Sequence, residues 1–328
     1  MQRREFVTLL GGAAATSVCW PLTASAQKAI YRLGTLGPRD PVDDKSQLGS
    51  IIVRVLGQRG YTLGQNLALD ARGAMGDLHR VPQLLQEMKA NKVDALVVNG
   101  FPVALAAKAV GIPTVVAFGA GDPVATHLVQ SLSRPGGNIT GISDNATELS
   151  TKRLSLLQQL NPQLRRVAML WNKEDLGMSM RYEASAGVAQ SVGVTVMPLG
   201  VRAPDDFNEA FAAMNREPPD AILMVSDALT TLNRKRVFDY AAEHKLPAIY
   251  EYDFLVRDGG LMSYGADLNE SAERAGDLVA RIFDGAQPGD LPFERPTRYP
   301  FVINLKTAKA TGIELPPNLV ALADEVIE

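Results

Sequence analysis

The chain has 328 residues, with 33 basic and 36 acidic side chains, a formal net charge of −3 and a single cysteine. No block of basic residues is present, which argues against a nucleic-acid partner. One cysteine excludes disulfides and cysteine-ligated metal sites. The three histidines, His79, His127 and His244, show no metal-ligand spacing, so neither metal nor cofactor is expected.

At the N-terminus, Arg3-Arg4 precedes an apolar run from Phe6 to Leu22 that ends in Ala24-Ser25-Ala26. This is the pattern of an export signal spanning residues 1–26 and cleaved after Ala26. The arginine pair followed by Phe6 also resembles a twin-arginine signal, with Gln2 where that signal usually has Ser. Cys19 lies inside the segment, so the mature chain carries no thiol, as suits an oxidising compartment. Past residue 26 no apolar stretch approaches the ~20 residues of a membrane span. A soluble periplasmic protein is expected.

Strand-like apolar runs then alternate with helix-periodic segments, the signature of an α/β fold with parallel sheets covered on both faces. Strands are expected near 30–36, 66–71, 94–98, 114–118 and 139–142, then again near 167–171, 194–199, 221–225 and 247–250. Leu48, Ile51, Ile52, Val55 and Leu56 form a helical stripe that stops at Gly60. Asp77 is placed to cap a second helix through Leu78, Val81, Leu85 and Met88. A late strand over 259–265 precedes a helix that Asp267 and Glu270 can cap as a box, and a last strand covers Phe301 to Asn304. Roughly 300 mature residues exceed what one core usually serves, so two lobes are expected. Val93 to Val98 echoes Pro219 to Val225, which fits either duplication or the shared look of buried parallel strands.

In open α/β sheets, ligands bind beyond the carboxyl ends of the strands. In the first half, the residues at and just past the expected strand ends are Gly37, Asn99, Gly100, Phe118 and Asp122. In the second half they are Trp171, Asn172, Ser226, Asp227, Tyr250, Glu251 and Gly265. Aromatics, amides and carboxylates in that set suit a small, partly apolar ligand. Trp171 and Tyr250 read either as walls of the cleft or as interior residues. Asp122 reads either as a partner for a ligand ammonium or as the cap of a helix starting at Pro123, and Asn99 and Ser226 read as caps that also face ligand. The sequence has no third glycine after Gly119-Ala120-Gly121, no phosphate-binding loop and no nucleophile elbow. No catalytic residues are assigned.

Asp122-Pro123-Val124, the run Leu132 to Gly141, the segment Val302 to Lys309 and the tail Ala323 to Ile327 resemble the tryptophan/tyrosine-type ABC transporter substrate-binding proteins. The resemblance implies a type I periplasmic-binding fold with two Rossmann-like lobes and three crossovers, near Ser143-Asp144, Asp253-Phe254 and 289–296. Residues 27–143 with 254–289 would form the first lobe, and 144–253 with 290–328 the second. It further implies a monomer that closes on an amino acid or aromatic acid and docks on an ABC permease in the cytoplasmic membrane. The ammonium of an amino acid would meet Asp122 or Glu251. A ligand sensor for a membrane receptor and an exported enzyme are the alternative readings.

Overall fold

The computed structural model describes residues 30–143 and 145–328; the export-signal reading of residues 1–26 and Asp144 lie outside the described residues. Five parallel strands, β1 (Tyr31–Gly37), β2 (Leu67–Gly73), β3 (Ala95–Asn99), β4 (Thr114–Phe118) and β5 (Ile139–Gly141), form one sheet in the order β2-β1-β3-β4-β5. Helices α1 (Gln47–Gln58), α2 (Val81–Ala90) and α3 (Phe101–Val110) connect them. Ser46 starts α1 by accepting the amide of Gly49, and its apolar stripe buries Ile52, Val55 and Leu56. Asp77 caps a single 3-10 turn, Leu78–Arg80, and α2 starts only at Val81.

Helix α4 (Ala146–Leu160) leads into a second sheet built from β6 (Arg166–Asn172), β7 (Thr195–Val201), β8 (Ala221–Met224), β9 (Ala248–Tyr250) and β10 (Met262–Tyr264). Between them lie α5 (Leu176–Ser191), α6 (Asp206–Arg216), α7 (Ala228–Leu232), α8 (Arg234–Glu243) and α9 (Asp253–Arg257). Their order, β7-β6-β8-β9-β10, repeats that of the first sheet strand for strand. Helix α10 (Leu268–Phe283) comes next. Strand β11 (Phe301–Asn304) then joins β10 antiparallel, and helices α11 (Leu305–Thr311) and α12 (Pro317–Val320) lead to β12 (Glu325–Ile327), which closes the edge.

Each sheet is sandwiched between apolar layers. Leu33, Ile52, Leu56 and Val97 pack with Ala275, Leu278 and Val279 of α10 on one face of the first sheet. Phe207, Val237 and Tyr250 do the same on one face of the second. Each such fully buried side chain contributes about 1.5–3 kcal/mol through water exclusion.

The chain crosses between sheets later than expected. Residues 254–289 do not return as a block to the first lobe: β10 pairs with β9 and β11, so its apolar residues complete the second sheet, and only α10 and the segment directly after it pack on the first. Nor does residue 290 open the second lobe, because Phe293 still packs in the first core and Glu294 bridges to Ile142. The crossing strands are tied to one another. Ser143 N–H donates to Glu294 O at 2.9 Å, and Asp267 N–H donates to Arg298 O at 3.1 Å.

Asp267 caps α10 as expected, accepting from Asn269 and Glu270 amides, but Glu270 does not complete a box. Its carboxylate instead accepts from Thr297 and Arg298 amides and from Arg274, which clamps the last crossover to α10. Despite its burial, those bonds hold the Glu270 carboxyl down at about 2.

Candidate ligand cleft between the sheets

In both sheets the strand order reverses beside the first strand, which opens a crevice at the strand ends. The first crevice lies between the ends of β1 and β3, and the second between the ends of β6 and β8. They face each other. The cleft between them, open to solvent on one side, holds about 580 Å³ of space between atoms.

From the first lobe come Pro38 and Arg39 after β1, Asn99 and Gly100 at the end of β3, and Phe118 and Gly119 at the end of β4. From the second come Asp175 at the start of α5, Ser226 and Asp227 after β8, and Tyr252 and Phe254 after β9. Three aromatic rings meet at one end: Phe118 stands edge-on to Tyr252 with centroids 6.0 Å apart, and Tyr252 stacks on Phe254 at 6.0 Å. The Arg39 guanidinium lies over the Phe254 ring at 5.7 Å, so cation and ring join the two lobes across the mouth.

Two carboxylates line the cleft as well. Asp175 caps α5 through the Met178 amide at 3.2 Å, and Asp227 caps α7 through Thr230. Asn172 steadies Asp227 with a 2.6 Å donation from its side-chain amide. Burial, and next the charge of Asp227, push the Asp175 carboxyl up to about 7; burial raises Asp227 as well. Two acids that repel each other in a closed cleft favour a cation brought by a ligand. Asn99 Oδ1 and Ser226 Oγ, one from each lobe, are buried there with no hydrogen-bond partner among the described residues. Buried polar atoms of this kind are uncommon, and these two, lining the cleft, are placed to meet polar groups of a ligand.

Behind the carboxylates lies a buried ion cluster. Glu251 bridges Arg153 at 3.1 Å and Arg181 at 3.0 Å and accepts the Ser226 amide at 3.0 Å. It thereby fixes the turn that presents Ser226 and Asp227.

Of the residues singled out from sequence, Asn99, Gly100, Phe118, Ser226 and Asp227 line the cleft. Gly37 lies in its outer part, where a β-carbon would come within 2.9 Å of Asn99 Oδ1. Neither Asn99 nor Ser226 caps a helix: Gly100 and Asp227 hold those positions. The others stand elsewhere. Trp171 is 8% exposed and stacks on Tyr182 at 3.6 Å, inside the second core. Tyr250 is 1% exposed and packs against Phe238. Glu251 is closed off by its two arginines, and Asn172 works through Asp227. Gly265 lets the backbone of Glu251 approach, since a β-carbon there would meet its carbonyl. Asp122 accepts from the Val124 and Ala125 amides at 3.0 Å, and a series of turns succeeds it where a helix was expected.

Arg39, Asp175, Tyr252 and Phe254 escaped the sequence reading. Each stands one to four residues past a strand-end residue that was chosen. No periodic signal marked Tyr252: alternation puts it on the face of Tyr250, and only the end of the strand at Tyr250 releases it from that pattern.

Two parallel-sheet lobes joined by three crossing segments, with a cleft of opposed charges and aromatics at their switch points, define a solute receptor of the type I periplasmic-binding fold. The chain belongs to the ABC transporter substrate binding protein family, whose pattern it matches over residues 44–327. It is 26% identical over 275 residues to the tyrosine-binding protein of Clostridioides difficile, an alignment covering 84% of this chain and 78% of that one. A Streptococcus pneumoniae protein solved in complex with L-Trp is 25% identical and superimposes with a TM-score of 0.82, over 91% of this chain and 100% of that one. A conserved domain protein from Vibrio cholerae, 24% identical, gives 0.83 over 90% of this chain and 99% of that one.

Proposed function

We propose that this chain is an exported receptor that captures an α-amino acid with an aromatic side chain outside the cytoplasmic membrane and delivers it, unchanged, to an ABC permease. The observation that carries the reading is the lining of the cleft, which brings together Asp175 and Asp227, Arg39 and three aromatic rings. A zwitterion with a flat apolar side chain satisfies all three. Its ammonium neutralises the acid pair, its carboxylate faces the guanidinium, and its ring joins Phe118, Tyr252 and Phe254. What the relatives from C. difficile and S. pneumoniae are named for, tyrosine and L-Trp, supports the same class.

Ligand drives closure because it touches both lobes: Arg39, Asn99 and Phe118 belong to the first, Asp175, Ser226 and Tyr252 to the second. Only the closed form offers both sets, so the ligand shifts the population toward it. Closed, liganded protein is then the form for a permease to recognise.

The test is a calorimetric titration with L-tryptophan, L-tyrosine, L-phenylalanine, aliphatic amino acids and sugars, with the ligand recovered and weighed by mass spectrometry. An aromatic amino acid that binds and returns intact supports the reading. Tight binding of a sugar or a consumed ligand would reject it.

A further inference from the structure

The lobes already touch across the cleft, through Phe118 and Tyr252, Arg39 and Phe254, and the backbones around Gly121 and Gly177. Even so, a second compartment of about 910 Å³ adjoins the first, and both are partly open to solvent. The two compartments share Arg39, Asn99, Phe118 and Phe254 as a common wall.

The outer walls are the first turns of α1 and α10, pinned together by donation from Gln47 Nε2 to Asn269 Oδ1 at 2.9 Å. Val42, Leu48 and Leu268 supply apolar surface. Charge balances: Asp40 and Asp253 oppose Arg39 and Arg257, and Arg257 is already committed to Glu325 at 2.6 Å. A neutral, partly apolar extension of the inner ligand fits such a chamber better than a separate ion does.

Arg39 stands in the common wall, and its guanidinium carries five N–H donors in a flat fork. It can serve the carboxylate of a free amino acid from the inner side, or that of a chain one residue longer from the outer side.

Resting on the assignment of the inner compartment to an aromatic α-amino acid, we infer that the cleft also takes a dipeptide. The aromatic N-terminal residue lies in the inner compartment, and the second residue lies between α1, α9 and α10. Its free ammonium is required, because the acid pair lines the inner compartment and not the second one.

The experiment is a parallel calorimetric titration with L-tyrosine, L-tryptophan, Tyr-Ala, Trp-Ala and N-acetyl-Tyr-Ala. The dipeptides are expected within about tenfold of the free amino acids, and the acetylated form weaker by about a hundredfold or more. Asn269→Trp, which fills the chamber, is expected to weaken the dipeptides by about tenfold or more and leave the amino acids unchanged. Leu48→Trp is the second variant, should the first fail to fold. Amino acids that bind while dipeptides do not would overturn this inference and leave the proposed function standing. Dipeptides indifferent to both tryptophans would overturn it as well. If none of the probes binds, both readings fall together.

Discussion

Gly121 of the first lobe and Gly177 of the second meet across the cleft: a β-carbon on Gly121 would stand 3.1 Å from the Gly177 Cα. Gly177 also faces Phe101, whose Cβ would be 3.2 Å from an added β-carbon. Such spacing leaves no room for a branched side chain while the lobes stay together. Gly177→Val is therefore expected to hold the lobes ajar and weaken amino acid binding by about tenfold or more. Small-angle scattering should show a larger ligand-saturated particle than wild type. A variant that closes and binds normally would mean that the glycine contact is incidental.

Asp175 makes the unliganded protein sensitive to pH. Its carboxyl lies at about 7, against an ordinary value of 3.8, so the folded state holds this proton more tightly than the unfolded chain does. Its contribution is most favourable below about pH 4. As pH rises towards 7 it is lost, by up to about 1.4 kcal/mol per pH unit. Glu270 acts in the opposite sense and in another window. Held down at about 2, it stabilises the fold above its ordinary 4.5, and that support is lost as pH falls toward 2. Melting curves of wild type and Asp175→Asn, compared between about pH 4 and 7, isolate the first effect, which the variant should lack. A ligand ammonium favours ionised Asp175, so wild-type affinity should climb over the same range with proton release detected by calorimetry. A parallel pH response in the variant would move the titration to another group.

Much of this architecture is legible in the sequence because a buried parallel strand advertises itself by unbroken apolar runs. β3, β8 and β9 lie close to the expected 94–98, 221–225 and 247–250. The ends of β3 and β8 then point to Asn99, Ser226 and Asp227, since strand ends of a doubly wound sheet are where ligands are met. What was lost is orientation. β6 and β9 deliver Trp171 and Tyr250 to the same level, but the pleat turns both into cores, and the cleft receives residues of the loops beyond. Crossover positions were also hidden: nothing in Met262-Ser263-Tyr264 says which sheet takes it, and only the pairing of β10 with β9 and β11 does.

Trp171 separates the two readings of the second lobe. Because it stacks on Tyr182 and is 8% exposed within the core, Trp171→Ala is expected to destabilise the fold by about 3–5 kcal/mol, the range for large-to-small aromatic changes. Affinity measured on the folded fraction should stay within about twofold of wild type, whereas loss of affinity without loss of stability would return this ring to the ligand.

Glu251 governs stability and binding together. Removing it leaves Arg153 and Arg181, each with a side chain 2% exposed, without the carboxylate that joins them. Breaking a buried pair from one side costs about 3–5 kcal/mol, so Glu251→Ala should show that loss in its urea midpoint. Glu251→Gln retains an acceptor for the Ser226 amide but no charge, and should fall between. Both variants should bind amino acids more weakly than Trp171→Ala does, because the Ser226–Asp227 turn loses its anchor at the cleft. Equal affinities in the Glu251 and Trp171 variants would show that the ion cluster supports the core alone and leaves the cleft to other constraints.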